Sequence, residues 1–159
     1  MLSIPEDGWT DFQLGSENTK YSLSYLTDVA VEWLDQAIHG LTTLDAFSVH
    51  GFCEPGRMVC TVSYWNCYVI FEGDGWEDNC ESVYTVHISM IDFCRKLYAD
   101  ISGNLEAWVH WDDDSLEEDG VSLEEAVNRR KAEIQGKLDA LKKLIDKNAE
   151  DFDEHGSFF

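Results

Sequence analysis

Apolar positions along the chain switch repeatedly between a period of two and a period of about 3.6, and each switch marks an element. Trp9, Asp11 and Gln13 alternate with Thr10, Phe12 and Leu14, which reads as a strand over 9–14. Residues 21–26 alternate in the same way and form its natural pairing partner. Thr27 then stands where an N-cap belongs, with Asp28 just inside the helix. Ala30, Trp33, Leu34, Ala37, Ile38 and Leu41 follow as one stripe, so an amphipathic helix is predicted over 28–41, fraying at Gly40.

A strand over 46–53 is stopped by Glu54-Pro55-Gly56. Residues 57–72 read as a hairpin. A two-residue turn at Trp65-Asn66 sets Tyr64 opposite Cys67, Val62 opposite Val69 and Cys60 opposite Phe71, all on one face. The other face carries Thr61, Ser63, Tyr68 and Ile70 and is more polar. Residues 73–81 have the composition of a loop, and 83–88 that of a further short strand.

Ser89 and Asp92 resemble a capping box before a second helical stripe of Met90, Phe93, Cys94, Leu97 and Ile101, closed by Gly103. Residues 105–111 alternate and predict a last strand, followed by an acidic loop over 112–120. Ser122-Leu-Glu-Glu125 opens a long helix to about Asn148. Its narrow seam is Val127, Ile134, Leu138, Leu141 and Ile145, suited to packing on the sheet or on a second copy. Gly136 weakens it by about 1 kcal/mol relative to alanine, and residues 150–159 are expected to fray.

The expected fold is therefore α+β: one domain over 1–159, with a mostly antiparallel sheet of about five to six strands. Two amphipathic helices pack on the sheet, and a long C-terminal helix follows.

Charge changes this picture from a fold to a kind of function. The chain carries 32 Asp and Glu against 11 Lys and Arg, a formal charge of -21. The imbalance is uneven: residues 1–121 hold four basic side chains against 23 carboxylates, which leaves −19. Such a field repels nucleic acid and anionic membrane and speeds encounter with a basic partner. Aromatic residues make up 13% of the chain, including six Trp, too many for a disordered acidic segment. No basic-then-apolar leader opens the sequence and no apolar run approaches the roughly 20 residues of a bilayer span, so a cytoplasmic location is expected. The five Cys are odd in number and lack a CxxC, which reads as reduced thiols.

Motifs for catalysis do not emerge. His50 and Cys53, three apart in a strand, would point to opposite faces, and Cys53, Cys60 and Cys67 lie seven apart, unlike zinc ligands. The acidic run over 112–120 lacks the layout of a calcium loop. There is no GxSxG, no HExxH and no glycine-rich phosphate loop with a lysine. Neither an enzymatic activity nor a cofactor or metal is expected.

Two acidic stretches with aromatic neighbours are the candidate partner-binding residues. One is Asp74, Glu77, Asp78 and Glu81 around Trp76. The other is Asp112, Asp113, Asp114, Glu117, Glu118 and Asp119 following Trp108 and Trp111. Tryptophan supplies desolvated contact area, and carboxylates meet Arg or Lys on a partner. The alternative for either stretch is a solvated loop with half-buried Trp.

Trp9-x-x-Phe12-x-Leu14, Ser24-Tyr25-x-x-Asp28 and Phe52-x-Glu54-Pro55-Gly56, on a small acidic α+β chain, resemble bacterial immunity proteins of polymorphic toxin systems, of the contact-dependent growth inhibition and Rhs type. The resemblance covers the first third of the chain. It implies an inhibitor that occludes the active site of a cognate toxin domain, often a basic nuclease, acting as a monomer or weak homodimer. The rival expectations are an acidic adaptor, a DNA mimic that occupies a basic host protein, and a small-molecule enzyme.

Overall fold

The computed structural model describes residues 1–16, 18–73, 82–112, 116 and 120–155. Strands β1 (Trp9–Phe12) and β2 (Tyr21–Ser24) pair antiparallel. Strands β3 (Phe47–Phe52), β4 (Arg57–Val62), β5 (Cys67–Glu72) and β6 (Ser82–Val86) form a second antiparallel sheet in that order. The helices are α1 (Val29–Thr43), α2 (Met90–Ser102), the short α3 (Leu105–Val109) and α4 (Leu123–His155). This is the expected α+β architecture. No described helix is long and apolar enough to cross a membrane.

One face of the four-stranded sheet makes the core. Phe47, Val49, Met58, Cys60, Val62, Cys67 and Val69 all point inward and are buried. Helices α1 and α2 and the β1–β2 hairpin cover that face. Trp33 of α1 donates its indole N–H to the His50 carbonyl at 2.8 Å and meets Phe12 edge to face at 5.5 Å. Tyr21 stacks on Phe71 at 5.5 Å, which closes the hairpin onto the end of the sheet.

Helix α4 does not lie on the sheet, as its seam predicted, but on α1, α2 and α3. Ile134, Leu138, Leu141 and Ile145 are all buried there. Helix α1 is apolar on two sides, with Val29, Ala30, Trp33, Leu34, Ala37 and Leu41 all buried, so it can face both the sheet and α4. The result is three layers: sheet, paired helices, α4. Asn148 donates to the Leu41 carbonyl at 3.1 Å, meeting one of the carbonyls that the end of α1 leaves open.

Several local expectations are corrected. Asp28, not Thr27, caps α1: its Oδ1 accepts from the Val31 N–H at 3.2 Å. The 57–72 hairpin turns over four residues, closed by Ser63 N–H to the Asn66 carbonyl at 2.8 Å. Cys60 therefore faces Val69 and Val62 faces Cys67. The shift from the expected register is two residues, so each side chain keeps its face. Residues 105–109 form a helix, not a strand. Leu105, Trp108 and Val109 fit helical spacing as well as alternation, and the short α3 puts Trp108 and Val109 together inside. The C-terminal residues 150–155 continue α4, because Phe152 is buried and stacks on Tyr64 at 4.3 Å.

Gly40 lies within α1 rather than at a frayed end. A Cβ there would overlap the Phe47 ring, so glycine is what lets β3 close on the helix. Gly136 in α4 has open space around its Cα. The two glycines should respond oppositely to the same change. Gly40→Ala should lower stability by about 1–2 kcal/mol through overpacking, and Gly136→Ala should raise it by about 1 kcal/mol through helix propensity. Urea midpoints of the two variants check this; equal signs would contradict the packing of α1.

Candidate partner-binding surface

The chain's cations are largely spent on its own body. Lys20, Arg57, Arg95, Arg129, Arg130, Lys131, Lys137 and Lys142, eight of the 11 basic side chains, pair with carboxylates of the same chain. Three of these pairs staple α4 down. Arg130 holds Asp28 through two bonds of 2.6 and 3.0 Å, Lys137 meets Asp35, and Lys131 meets Glu106. The basic C-terminal stretch is therefore no cationic patch. Arg130, Lys131 and Lys137 reach α1 and α3, and Arg129 and Lys142 pair with carboxylates one turn away on α4 itself.

The sequence-predicted binding residues fall into two groups. Asp74, Trp76, Glu77, Asp78 and Glu81 lie outside the described residues, as do Asp113, Asp114, Glu117, Glu118 and Asp119. Asp112 is half-buried. Trp108 and Trp111 are corrected outright: both are buried, packed edge to face at 5.2 Å, and neither presents a contact surface. Helix α3 turns Trp108 inward and the turn after it does the same for Trp111, whereas the expected strand would have set the two rings on opposite faces.

An exposed aromatic surface beside carboxylates does exist, at the N-terminal hairpin. Residues 2–6 run back along β1, with Ser3 N–H bonded to the Asp11 carbonyl and Gln13 N–H to the Met1 carbonyl, each at 2.9 Å. Asp7 and Gly8 make the turn. Their φ values are 49° and 78°, and Glu6 and Trp9 exchange both backbone bonds at 2.9 Å. That is the primed two-residue turn that Asp-Gly favours, because glycine takes positive φ freely and Asp tolerates it.

The turn lifts Trp9 to the surface. Trp9 is 38% exposed, Tyr25 51% and Ile4 61%. Tyr25 lies against the turn, where a Cβ on Gly8 would meet its ring at 3.1 Å. Ile4, Glu6, Asp7, Trp9 and Asp11 line one shallow depression of about 350 Å³. Asp11 accepts from Lys20 at 2.8 Å and from Ser22 at 2.6 Å, and the Lys20 hydrogen bond in particular holds its carboxyl below the usual range. The carboxylates of Glu6, Asp7 and Asp11 thus lie beside Ile4 and Trp9 in one depression. The signal for it was the Asp7-Gly8 dipeptide, a strong short hairpin cue.

A second depression of about 470 Å³ is lined by Trp65, His87, Asp92, Arg95, Phe152 and Asp153. Its charges are paired with each other: Arg95 lies 3.0 Å from Asp92 and 3.8 Å from Asp153. Among the described residues, no three His, Cys, Asp or Glu side chains gather as metal ligands. Cys53, Cys60, Cys67 and Cys94 are free thiols. A hydrogen bond with Cys67 and burial push the Cys60 thiol up, and burial does the same to Cys94, so these two are core side chains held in the protonated form.

Compared with known proteins, the chain matches no family model, no curated protein and no solved structure.

Proposed function

We propose that this chain is an immunity protein that neutralises a cationic, nuclease-type toxin domain by covering its active site. The observation that carries this reading is the disposition of charge. Eight of the 11 cations pair with carboxylates of the same chain, and Glu6 and Asp7 lie beside the exposed Trp9 and Ile4. In a cationic cleft built for nucleic acid, such carboxylates take the place of substrate phosphates. Trp9 and Tyr25 supply the desolvated contact that slows release. The acidic stretches 74–81 and 112–119 add to the same field. The action is stoichiometric and consumes no substrate.

Co-expression with a panel of cationic nuclease toxin domains tests it. Growth should be restored against one of them, and nuclease activity should titrate to zero at one equivalent of this chain. Association should slow by 10-fold to about 10³-fold between low and high salt, as electrostatically steered encounters do. Cells that die equally with and without the chain, across the whole panel, would refute the proposal.

A further inference from the structure

Glu6 and Trp9 flank the Asp7-Gly8 turn and exchange both backbone hydrogen bonds, so their side chains stand opposite each other on one face of the hairpin. The exposed Trp9 ring therefore has the Glu6 carboxylate beside it, and Asp7 lines the same depression. Among the described residues, neither Glu6 nor Asp7 makes an ion pair. The chain's own Lys20 is taken by Asp11, the third carboxylate of the depression. Trp9 is also the most exposed tryptophan among the described residues. Trp33, Trp108 and Trp111 are buried, and Trp65 is half-buried against Phe152. Tyr25 lies against Gly8, whose φ of 78° sets the turn. Ring and carboxylates are thus held in place before a partner arrives, which lowers the entropic cost of binding.

We propose that this depression seats an arginine side chain of the cationic partner, its guanidinium stacked on Trp9 and bonded to Glu6 and Asp7. The inference rests on the toxin reading for the partner and names the side chain that the surface takes. Sign comes first: two unpaired carboxylates on a chain of charge -21 call for a cation. The ring then selects arginine over lysine. A guanidinium is planar and weakly hydrated, so its face stacks on an aromatic ring while its edge donates to a carboxylate beside that ring. Its fork meets a carboxylate through two parallel N–H bonds. An ammonium is a compact, strongly hydrated charge, and Trp9 offers it little that water does not. Ile4, exposed in the same depression, gives the aliphatic stem of the arginine an apolar neighbour.

Two probes test the seat by nuclear magnetic resonance on the isotope-labelled full chain: a short blocked glycine–serine peptide with spaced arginines, and its lysine counterpart of equal charge. The Trp9 indole N–H resonance, assigned by its loss in Trp9→Phe, should shift at about fivefold lower concentration of the arginine peptide than of the lysine peptide. In Trp9→Leu, the Glu6 and Gly8 amide resonances should respond to both peptides alike. Glu6→Gln combined with Asp7→Asn should weaken both peptides by about fivefold. Asn-Gly favours the same primed turn, so that variant keeps the hairpin. Equal response to the two peptides, an unmoved Trp9 resonance, or an arginine preference that survives Trp9→Leu would each overturn the proposal. The growth assay separates this from the toxin reading. Neutralisation without an arginine preference removes the seat and leaves the toxin reading. The preference without neutralisation keeps the seat and assigns it to another basic protein.

Discussion

Trp108→Ala should cost about 3–5 kcal/mol of folding stability, the range for emptying a large aromatic site in a core. Trp108 is fully buried between α3 and α4 and packs edge to face on Trp111. Its carbonyl accepts from Arg130 at 3.4 Å, the same guanidinium that holds Asp28 at the start of α1. Truncation would open a cavity under that junction and loosen the staple that fixes α4. The melting temperature should fall by roughly 10 °C, given about 2–4 °C per kcal/mol at this chain length. Urea denaturation provides the free energy. Were Trp108 a contact residue, as the sequence pattern implied, the variant would melt like the wild type and lose only its partner. A midpoint unchanged within error would remove α3 from the core.

Trp9→Ala should do the reverse. The ring is partly exposed on the primed turn, so melting should shift little. Affinity for the proposed toxin domain should fall by about 2 kcal/mol, or roughly 30-fold, as for a central aromatic anchor. The loss should appear as faster dissociation, because the ring acts after encounter. Glu6→Lys, at the rim of the same depression, should instead slow association, because it weakens the field that steers the partner. Stopped-flow binding separates the two effects. Wild-type rates in both variants would move the binding surface away from the N-terminal hairpin, while the growth assay still judged inhibition itself.

The elements legible in the sequence are those whose cause is local. Ser89 accepts from the Asp92 N–H at 3.2 Å, and Ser122 accepts from the Glu125 N–H at 3.2 Å, both as the capping boxes required. The stripe of α2 and the alternation of β4 and β5 put the expected side chains inside, since period alone decides which face a residue joins. Register was harder to read. A four-residue connection and a two-residue turn bury the same faces, and they differ only in partner. Residues 105–111 were ambiguous for the same reason: over five to seven positions, alternation and helical spacing share most of their apolar sites. The fate of Trp108 and Trp111 followed from that ambiguity, because a hydrophobic ring beside an acidic run fits a core as well as an interface.

Charge balance and the apolar period of each segment are properties of the chain in one dimension, so the sequence by itself determined an acidic α+β protein and most of its elements. Which surfaces meet is a property of residues distant along the chain. Asp28 and Arg130 stand 102 positions apart, and their contact, together with the buried seam of Ile134, Leu138, Leu141 and Ile145, holds α4 on the helices. The exposure of Trp9 and the burial of Trp108 were settled the same way, by tertiary packing. Each depends on what else competes for the same neighbours, and no local pattern encodes that competition.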